Sequence, residues 1–340
     1  MKIAIQVLPY KSQKELPILI QSLQRQSFTD WKLFVHENSC DANELAGVKA
    51  QLEASGVPFS LTSGPTNLGF AGGHNELFTQ HEAEFVLLLN DDAYLEDGYL
   101  EAVLARFAKD VRCAAVTGPV YRWSCPVTER QVLQIDNPID TLGLLYKSLA
   151  EISDLGSGDS ASIWKHWLDL PHQLFGVSAA VAMYRRSAVL DVSIDQQLFD
   201  PFFFMYKEDV DLAIRLARKG YTAWFEPGAL SFHRRSVQGA KNIWARLRDE
   251  RKRPAHLRIA MYRNQWAVYF YHFSAELGLQ DVLRVARAEL LRAGGTFLIS
   301  PWVYIEVWLQ IFFRGRGWLA RRTKFQSKGM PLIRLDTWGK

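Results

Sequence analysis

The N-terminal part of the chain alternates short apolar runs with stretches in which apolar residues recur every three or four positions. Ile3 to Leu8 reads as a strand, and Glu15 to Gln26 has helical spacing through Leu16, Leu19, Ile20 and Leu23. Trp31 to Val35 reads as a second strand, Asn43 to Ala54 as a helix, and Ser60 to Thr62 as a short strand. Ala71 to Gln80 reads as a helix opening from a glycine-rich turn. Phe85 to Leu89 is uninterruptedly apolar, the pattern of a strand buried on both faces in the middle of a parallel sheet. Tyr99 to Ala108 reads as a helix and Ala114 to Val120 as a strand. This alternation predicts an α/β fold, a mainly parallel sheet flanked by helices.

From Tyr121 to Asp169 the periodicity weakens, and Pro126, Pro138 and the run from Gly156 to Ser160 mark loops. Residues 121–170 are therefore expected to form an irregular insert, the kind of segment that carries specificity. Phe175 to Tyr184 is again strand-like, Val210 to Lys219 is helical, and Ala223 to Phe225 and Gly228 to Phe232 are strand-like. The pattern then changes. Residues 1–236 are expected to form one domain, and 237–340 a helical region rich in Arg, Trp and Tyr. Within it, Phe297 to Phe313 is strongly apolar but contains Pro301, Glu306 and Gln310. It is followed by Arg314, Arg316, Arg321, Arg322, Lys324 and Lys328. Two readings fit: a helix lying in the headgroup region of an anionic membrane, or a helix packed on the main domain with its basic residues solvated.

Composition changes this picture little. The 340 residues are 48% hydrophobic and 22% charged, enough to bury a core, and the net charge of +4 implies no strong global field. The C-terminal basic residues are interleaved with apolar runs, which speaks against a nucleic-acid partner. Cys40, Cys113 and Cys125 are odd in number and show no CxxC spacing, so neither a disulfide framework nor a structural zinc is expected, and a reducing compartment fits. No signal peptide and no apolar run of membrane-spanning length is expected, so the chain reads as cytoplasmic.

Four segments carry candidate chemistry. Asn90-Asp91-Asp92 follows the buried strand, at the end where α/β sheets bind ligands, and hard oxygen ligands there suit Mg²⁺ or Mn²⁺. The same carboxylates could equally cap a helix or close a turn. Upstream, Asn67-Leu68-Gly69-Phe70-Ala71-Gly72-Gly73-His74-Asn75 combines glycines, which let backbone approach a ligand, with a helix N-terminus that favours anions. Asp200 to Asp211 runs from aromatic residues into Glu208 and Asp209 at a helix start. A carboxylate held against aromatic rings is a candidate general base, although acids at a helix N-terminus also serve the helix dipole. His233 ends a strand-like run and is either a structural donor or a metal ligand.

Together, in this order, these segments resemble glycosyltransferase family 2, and within it the rhamnosyltransferase-like branch; the similarity runs from Ile3 to about Ser236, with an echo at Tyr262-Arg263-Asn264. The resemblance implies a GT-A (Rossmann-like) fold and an inverting transfer of a sugar from a nucleoside-diphosphate donor, with dTDP-rhamnose leading and UDP-sugars next. It implies a glycan or lipid-linked acceptor in cell-surface polysaccharide synthesis, at the inner face of the cell membrane. It also implies residue roles. Donor contacts fall on Pro9, Tyr10, Glu37, Asn38, Asp41, Asn67, Gly69, Phe70, Gly72, Gly73, Asn75, Asn90 and Asp91. Asp92 and His233 would hold a divalent metal (Mn or Mg), Asp209 with Glu208 would supply the catalytic base, and Gly176, Ser178 and Ala179 would line the acceptor side. Where the family places a base-contacting Asp, this chain has His36 or Glu37. That departure sustains a second expectation, a degraded transferase-like domain that binds nucleotide sugar or acts as a scaffold. A nucleotidyltransferase is disfavoured, because Leu8-Pro9-Tyr10-Lys11-Ser12 lacks a glycine-rich loop after the first strand.

Overall fold

The computed structural model describes residues 1–123, 137–234, 253–272 and 279–327. Cys125, Pro126, Arg235, Ser236 and Lys328 lie outside the described residues, as does the expected boundary at 236/237. In chain order the elements are β1 (Ile3–Val7), α1 (Leu16–Gln24), β2 (Trp31–Glu37), α2 (Ala42–Ser55), β3 (Phe59–Ser63), α3 (Gly69–Phe78) and β4 (Phe85–Leu89). There follow β5 (Ala93–Leu95), α4 (Tyr99–Lys109), β6 (Cys113–Thr117), β7 (Val120–Arg122), β8 (Ile139–Thr141), β9 (Leu144–Ser148) and β10 (Glu151–Asp154). Next come α5 (Lys165–Leu168), β11 (His172–Leu174), β12 (Val181–Arg185), α6 (Arg186–Val192), α7 (Glu208–Arg218), β13 (Thr222–Phe225) and β14 (Ser231–His233). The last helices are α8 (Ala255–His272), α9 (Leu279–Ile299) and α10 (Pro301–Ser327).

Eight strands form the main sheet, in the order β11-β13-β6-β12-β4-β1-β2-β3. Strands β3, β2, β1 and β4 are parallel, as their helix-linked pattern predicts. The expectation of a mainly parallel sheet holds: β13 is also parallel to β6, so four of the seven strand pairs are parallel. Strand β12 lies antiparallel between β4 and β6, and β11 is antiparallel to β13. A parallel neighbour would need a crossover helix to carry the chain back to the other end of β4. Instead residues 175–180 enter the sheet directly at the carboxyl end of β4, where the Asn90 amide donates to the Ala180 carbonyl (2.9 Å). The strand-like run from Phe175 is thus a strand only from Val181 onward.

Every residue of β4 is buried, and its side chains alternate between two cores. Phe85, Leu87 and Leu89 pack with β1, α1 and α4, whereas Val86 and Leu88 join a core shared with α7, α8 and α10. Val303, Val307, Ile311 and Trp318 of α10 belong to that second core, so one face of this helix packs on the protein body. The apolar run from Phe297 is broken at Ser300, and Pro301 opens α10, a position where its missing N–H goes unneeded.

The 121–170 segment, expected to be irregular, contains β8 and the β9–β10 hairpin. Its strand β8 completes a small sheet of order β5-β14-β7-β8. In this sheet His233 is in register with Ala93, which brings it beside Asp92.

Candidate active site

The carboxyl ends of β4 and β14, the start of α7 and the loop before β12 converge on one cleft of about 520 Å³. Asn90, Asp91, Asp92, Phe70, Ser178, Ala179, Glu208, Asp209 and His233 all line it.

On one wall, His233 Nε2 lies 3.1 Å from Asp92 Oδ1 and 2.9 Å from the Asn90 amide nitrogen. Its Nδ1 lies 2.8 Å from Asp140 Oδ2, which assigns the Nδ1 proton to that contact. Asp140 is fixed in turn by Arg122, at 3.2 Å. Burial alone would lower the His233 pKa, but the hydrogen bonds to Asp140 and Asp92 outweigh it and push it up to about 10. Asp91 points elsewhere. Its Oδ2 accepts from Ser12 Oγ and from the Tyr10 amide (3.1 Å), tying the loop after β1 to the end of β4. Burial raises the Asp91 pKa to about 6 against those hydrogen bonds.

The opposite wall carries the acids of α7. Asp209 Oδ1 accepts from the Val210 amide at 2.7 Å, and the carboxylate also takes a hydrogen bond from the backbone of Ala179. Glu208 Oε2 is buried with no hydrogen-bond partner among the described residues. Burial raises the pKa of both acids, and their mutual repulsion raises that of Glu208 further. Lys207 caps the helix at φ +73°, and burial lowers its pKa.

The residues fit a divalent ion. Asp92 Oδ1 is a buried oxygen facing His233 Nε2 at 3.1 Å. Adjacent positions on an octahedral ion with bonds of about 2.1 Å lie about 3 Å apart. Among the described residues no cluster of three or more His, Cys, Asp and Glu side chains forms a complete metal site. Any ion there would take its remaining ligands from substrate and water, the habit of Mg²⁺.

Several residues expected at the donor have scaffold contacts instead of lining the cleft. Asn38 bridges to the glycine-rich turn, donating to Gly69 O (3.1 Å) and accepting from the Leu68 amide (2.8 Å). Asn67 accepts from the Gly69 amide (2.7 Å). Asn75 exchanges two hydrogen bonds of 2.9 Å with the Phe199 backbone. Asp41 caps α2, and Glu37 accepts from the Ser39 amide (2.8 Å). His36 is buried against Thr62. Gly69 has φ +70°, and a Cβ there would meet Phe204 at 2.5 Å; Gly73 and Gly176 likewise leave room for Leu8 and Ala213. Pro9, Tyr10 and Gly72 are also outside the cleft lining. Asp154 and Met261, which no motif singled out, also line it, together with Lys207 and Arg234 from the motif segments, with Asp140 behind His233. The acidic-strand pattern that flagged Asp92 offers nothing comparable at Asp140, which a distant strand delivers.

Comparison with known proteins bears on this cleft. The profile of glycosyl transferase family 2 matches residues 7–191, more than half of the chain. The chain belongs to glycosyl transferase family 2. A second profile, glycosyl transferase family group 2, matches residues 161–321. No curated protein matches the chain. Among solved structures, GalNAc-T7 with UDP, GalNAc and Mn²⁺ is similar at a TM-score of 0.60 and 9% identity, over 98% of this chain and 58% of that one. S. aureus TarS is similar at a TM-score of 0.48 and 15% identity, over 96% of this chain and 55% of that one. The mannosyltransferase PcManGT from Pyrobaculum calidifontis, with GDP-Man and Mn²⁺, is similar at 0.49 and 12%, over 100% and 88%. The chain thus spans little more than half the length of TarS and GalNAc-T7. This family 2 protein has the GT-A fold, and its cleft stands where open α/β sheets bind ligands.

Proposed function

We propose that this family 2 protein carries out metal-assisted, inverting transfer of a sugar from a nucleoside diphosphate. The observation that carries the reading is one cleft with a cation-suited Asp92–His233 pair on one wall and the desolvated carboxylate Asp209 on the other. Asp209 accepts the proton of the acceptor hydroxyl. The freed oxygen pair forms the new bond to the anomeric carbon. The bond from that carbon to the diphosphate oxygen breaks, and the nucleoside diphosphate leaves with its electrons. Attack opposite the leaving group inverts the anomeric centre. Asp92 and His233 would hold a divalent ion (Mn or Mg), which would supply positive charge for the leaving diphosphate. Phe70, Asn90 and the loop tied by Asp91 to Tyr10 form the donor side; Ser178 and Ala179 form the acceptor side. Lys207 and Arg234, which line the cleft, are the cations we assign to the diphosphate.

The finer reading follows the rhamnosyltransferase-like branch: dTDP-rhamnose as leading donor, UDP-sugars next, and a glycan or lipid-linked acceptor in cell-surface polysaccharide synthesis. Residues 1–236 would carry the transferase domain, with 121–170 on the acceptor side. The helices from 237 onward would hold the protein at the cytoplasmic face of the membrane. In support of that, α10 is apolar on two sides. Val303, Val307, Ile311 and Trp318 face the core, while Trp302, Ile305, Leu309, Phe312 and Phe313 are exposed on the opposite side. Basic residues outnumber acids on α10, a charge balance that favours an anionic surface. No described helix is long and apolar enough to cross a membrane.

Calorimetry with UDP-, dTDP- and GDP-sugars, with and without Mn²⁺ or Mg²⁺, tests the reading. Metal-dependent binding of one nucleotide class is expected. A folded sample that binds none of them favours a scaffold role.

A further inference from the structure

The segment that delivers Glu208 and Asp209 to the cleft is held in an unfavourable backbone conformation. Phe204, Tyr206 and Lys207 have φ of +56°, +71° and +73°, and none is glycine. Side chains of L-residues disfavour that region, so it persists only where the surroundings over-determine it. Here the surroundings are a set of donors that reach every carbonyl from 202 to 206. Asn264 Nδ2, on α8, donates to the carbonyls of Phe203 (2.7 Å), Met205 (2.8 Å) and Tyr206 (2.8 Å). Its two protons serve three acceptors, so one is shared. Arg263 Nη2 reaches the Phe202 carbonyl at 3.3 Å, and the Ala71 amide reaches that of Phe204 at 3.0 Å. Arg263 also donates to Asn264 Oδ1 through Nε (3.1 Å) and Nη2 (2.9 Å), which fixes the amide with its nitrogen toward the loop. Asn264 is completely buried.

We infer that Asn264, oriented by Arg263, is a positioning residue for the reaction: it holds the 203–207 loop in its left-handed form and so aims Asp209 into the cleft. The inference rests on Asp209 being the base. It gives α8 a part in the active site, through hydrogen bonds of Asn264 to the backbone carbonyls of the cleft-lining Met205 and Tyr206. The helix itself is anchored independently. His272 Nε2 contacts Asp211 Oδ1 at 2.8 Å, and Arg218 donates to the His272 carbonyl at 2.7 Å. Removing the Asn264 amide therefore frees the loop while α8 stays docked.

The test uses the full chain as wild type, Asn264→Ala, Asp209→Asn and the double variant. Two readouts are taken: hydrogen exchange, and Mn²⁺-dependent nucleotide release from dTDP-rhamnose or UDP-GlcNAc with water as acceptor. Asn264→Ala should raise amide exchange across 203–209 at least tenfold, with the main sheet unchanged. It should lower nucleotide release about 100-fold, the order expected when a reacting group is misplaced by about 1 Å, and shift donor Kd less than twofold. In the Asp209→Asn background it should lower release no further, whereas a general structural role would lower both backgrounds alike. Unchanged exchange at 203–209, or an equal loss in both backgrounds, overturns the inference. Full activity in Asp209→Asn alone instead overturns the assignment of the base, and exchange, which needs no substrate, still decides the clamp. Should Asn264→Ala fail to fold, Asn264→Ser retains one donor and should show intermediate exchange; wild-type exchange in that variant is equally fatal.

Discussion

His233 sits between two carboxylates, and the two contacts do different things. Asp92 shares the cleft with its Nε2, while Asp140, 2.8 Å behind Nδ1, sets the ring's orientation. Partners of this kind typically contribute 10–100-fold to metal affinity. Asp140→Asn is therefore expected to weaken Mn²⁺ binding by roughly that factor, read by titration of Mn²⁺ paramagnetic resonance in the presence of nucleotide; unchanged affinity would dissociate His233 from the metal. Asp92 was legible because it follows an apolar strand. Asp140 was not, because it comes from β8, 93 positions away from its partner, and only the β7–β8–β14 arrangement joins them. Gly69 shows the converse. Its glycine is legible, and the structure gives it φ +70° and close packing on Phe204, a contact that no motif foretold. Gly69→Ala should lower unfolding free energy by about 1–3 kcal/mol, measured by urea denaturation; no change would show that the turn relaxes freely.

At the scale of elements, α7 owes its position to a buried network. Asp211 accepts from Arg215 Nε at 2.9 Å and meets His272 at 2.8 Å, with Arg218 bonded to His272. Removing one member of a buried charge network leaves the others uncompensated and costs about 3–5 kcal/mol. Asp211→Ala is expected to lose that much in denaturant unfolding, and a loss under about 1 kcal/mol would mean the network is solvated. The helical spacing of α7 was readable from residue to residue. Its anchor was not, since Asp211 and His272 are 61 positions apart. The same distinction explains β12. Apolar content marked it as a strand, but strand direction depends on where the chain enters the sheet, and no crossover helix precedes it.

For the molecule as a whole, the parallel half-sheet and the cleft at its strand ends followed from alternating pattern and from the rule that α/β sheets bind ligands there. The C-terminal helices were foreseen as helices, while their packing into the second core depends on one side of α10 that pattern alone could not tell from its exposed side. If that exposed side meets lipid, Trp302→Ser, Phe312→Ser and Phe313→Ser combined should abolish co-flotation with vesicles containing phosphatidylglycerol. A variant that floats normally, or a wild type that dimerises through this face instead, contradicts membrane docking. Stability should also depend on pH. Burial lowers the pKa of His74 to about 3, and of His81 and His272 to about 4. The unfolded chain binds protons at these sites below about pH 6.5 and the folded chain does not, so the contribution of these three sites is full above that pH and falls toward pH 4, by up to about 1.4 kcal/mol per pH unit for each histidine, while the raised groups Asp91, Glu208 and His233 contribute with the opposite sign. Titration of the three imidazoles by NMR should show them neutral at pH 5, and an imidazole protonated at that pH would contradict neutral burial. The central claim is that Asp209 is the base in a cleft that binds donor independently of it. The decisive measurement compares Asp209→Asn with wild type for donor affinity by calorimetry and for Mn²⁺-dependent nucleotide release. Donor Kd within twofold of wild type together with release reduced at least 1,000-fold, the order typical of losing a catalytic acid or base, is the predicted result; release at the wild-type rate would contradict it.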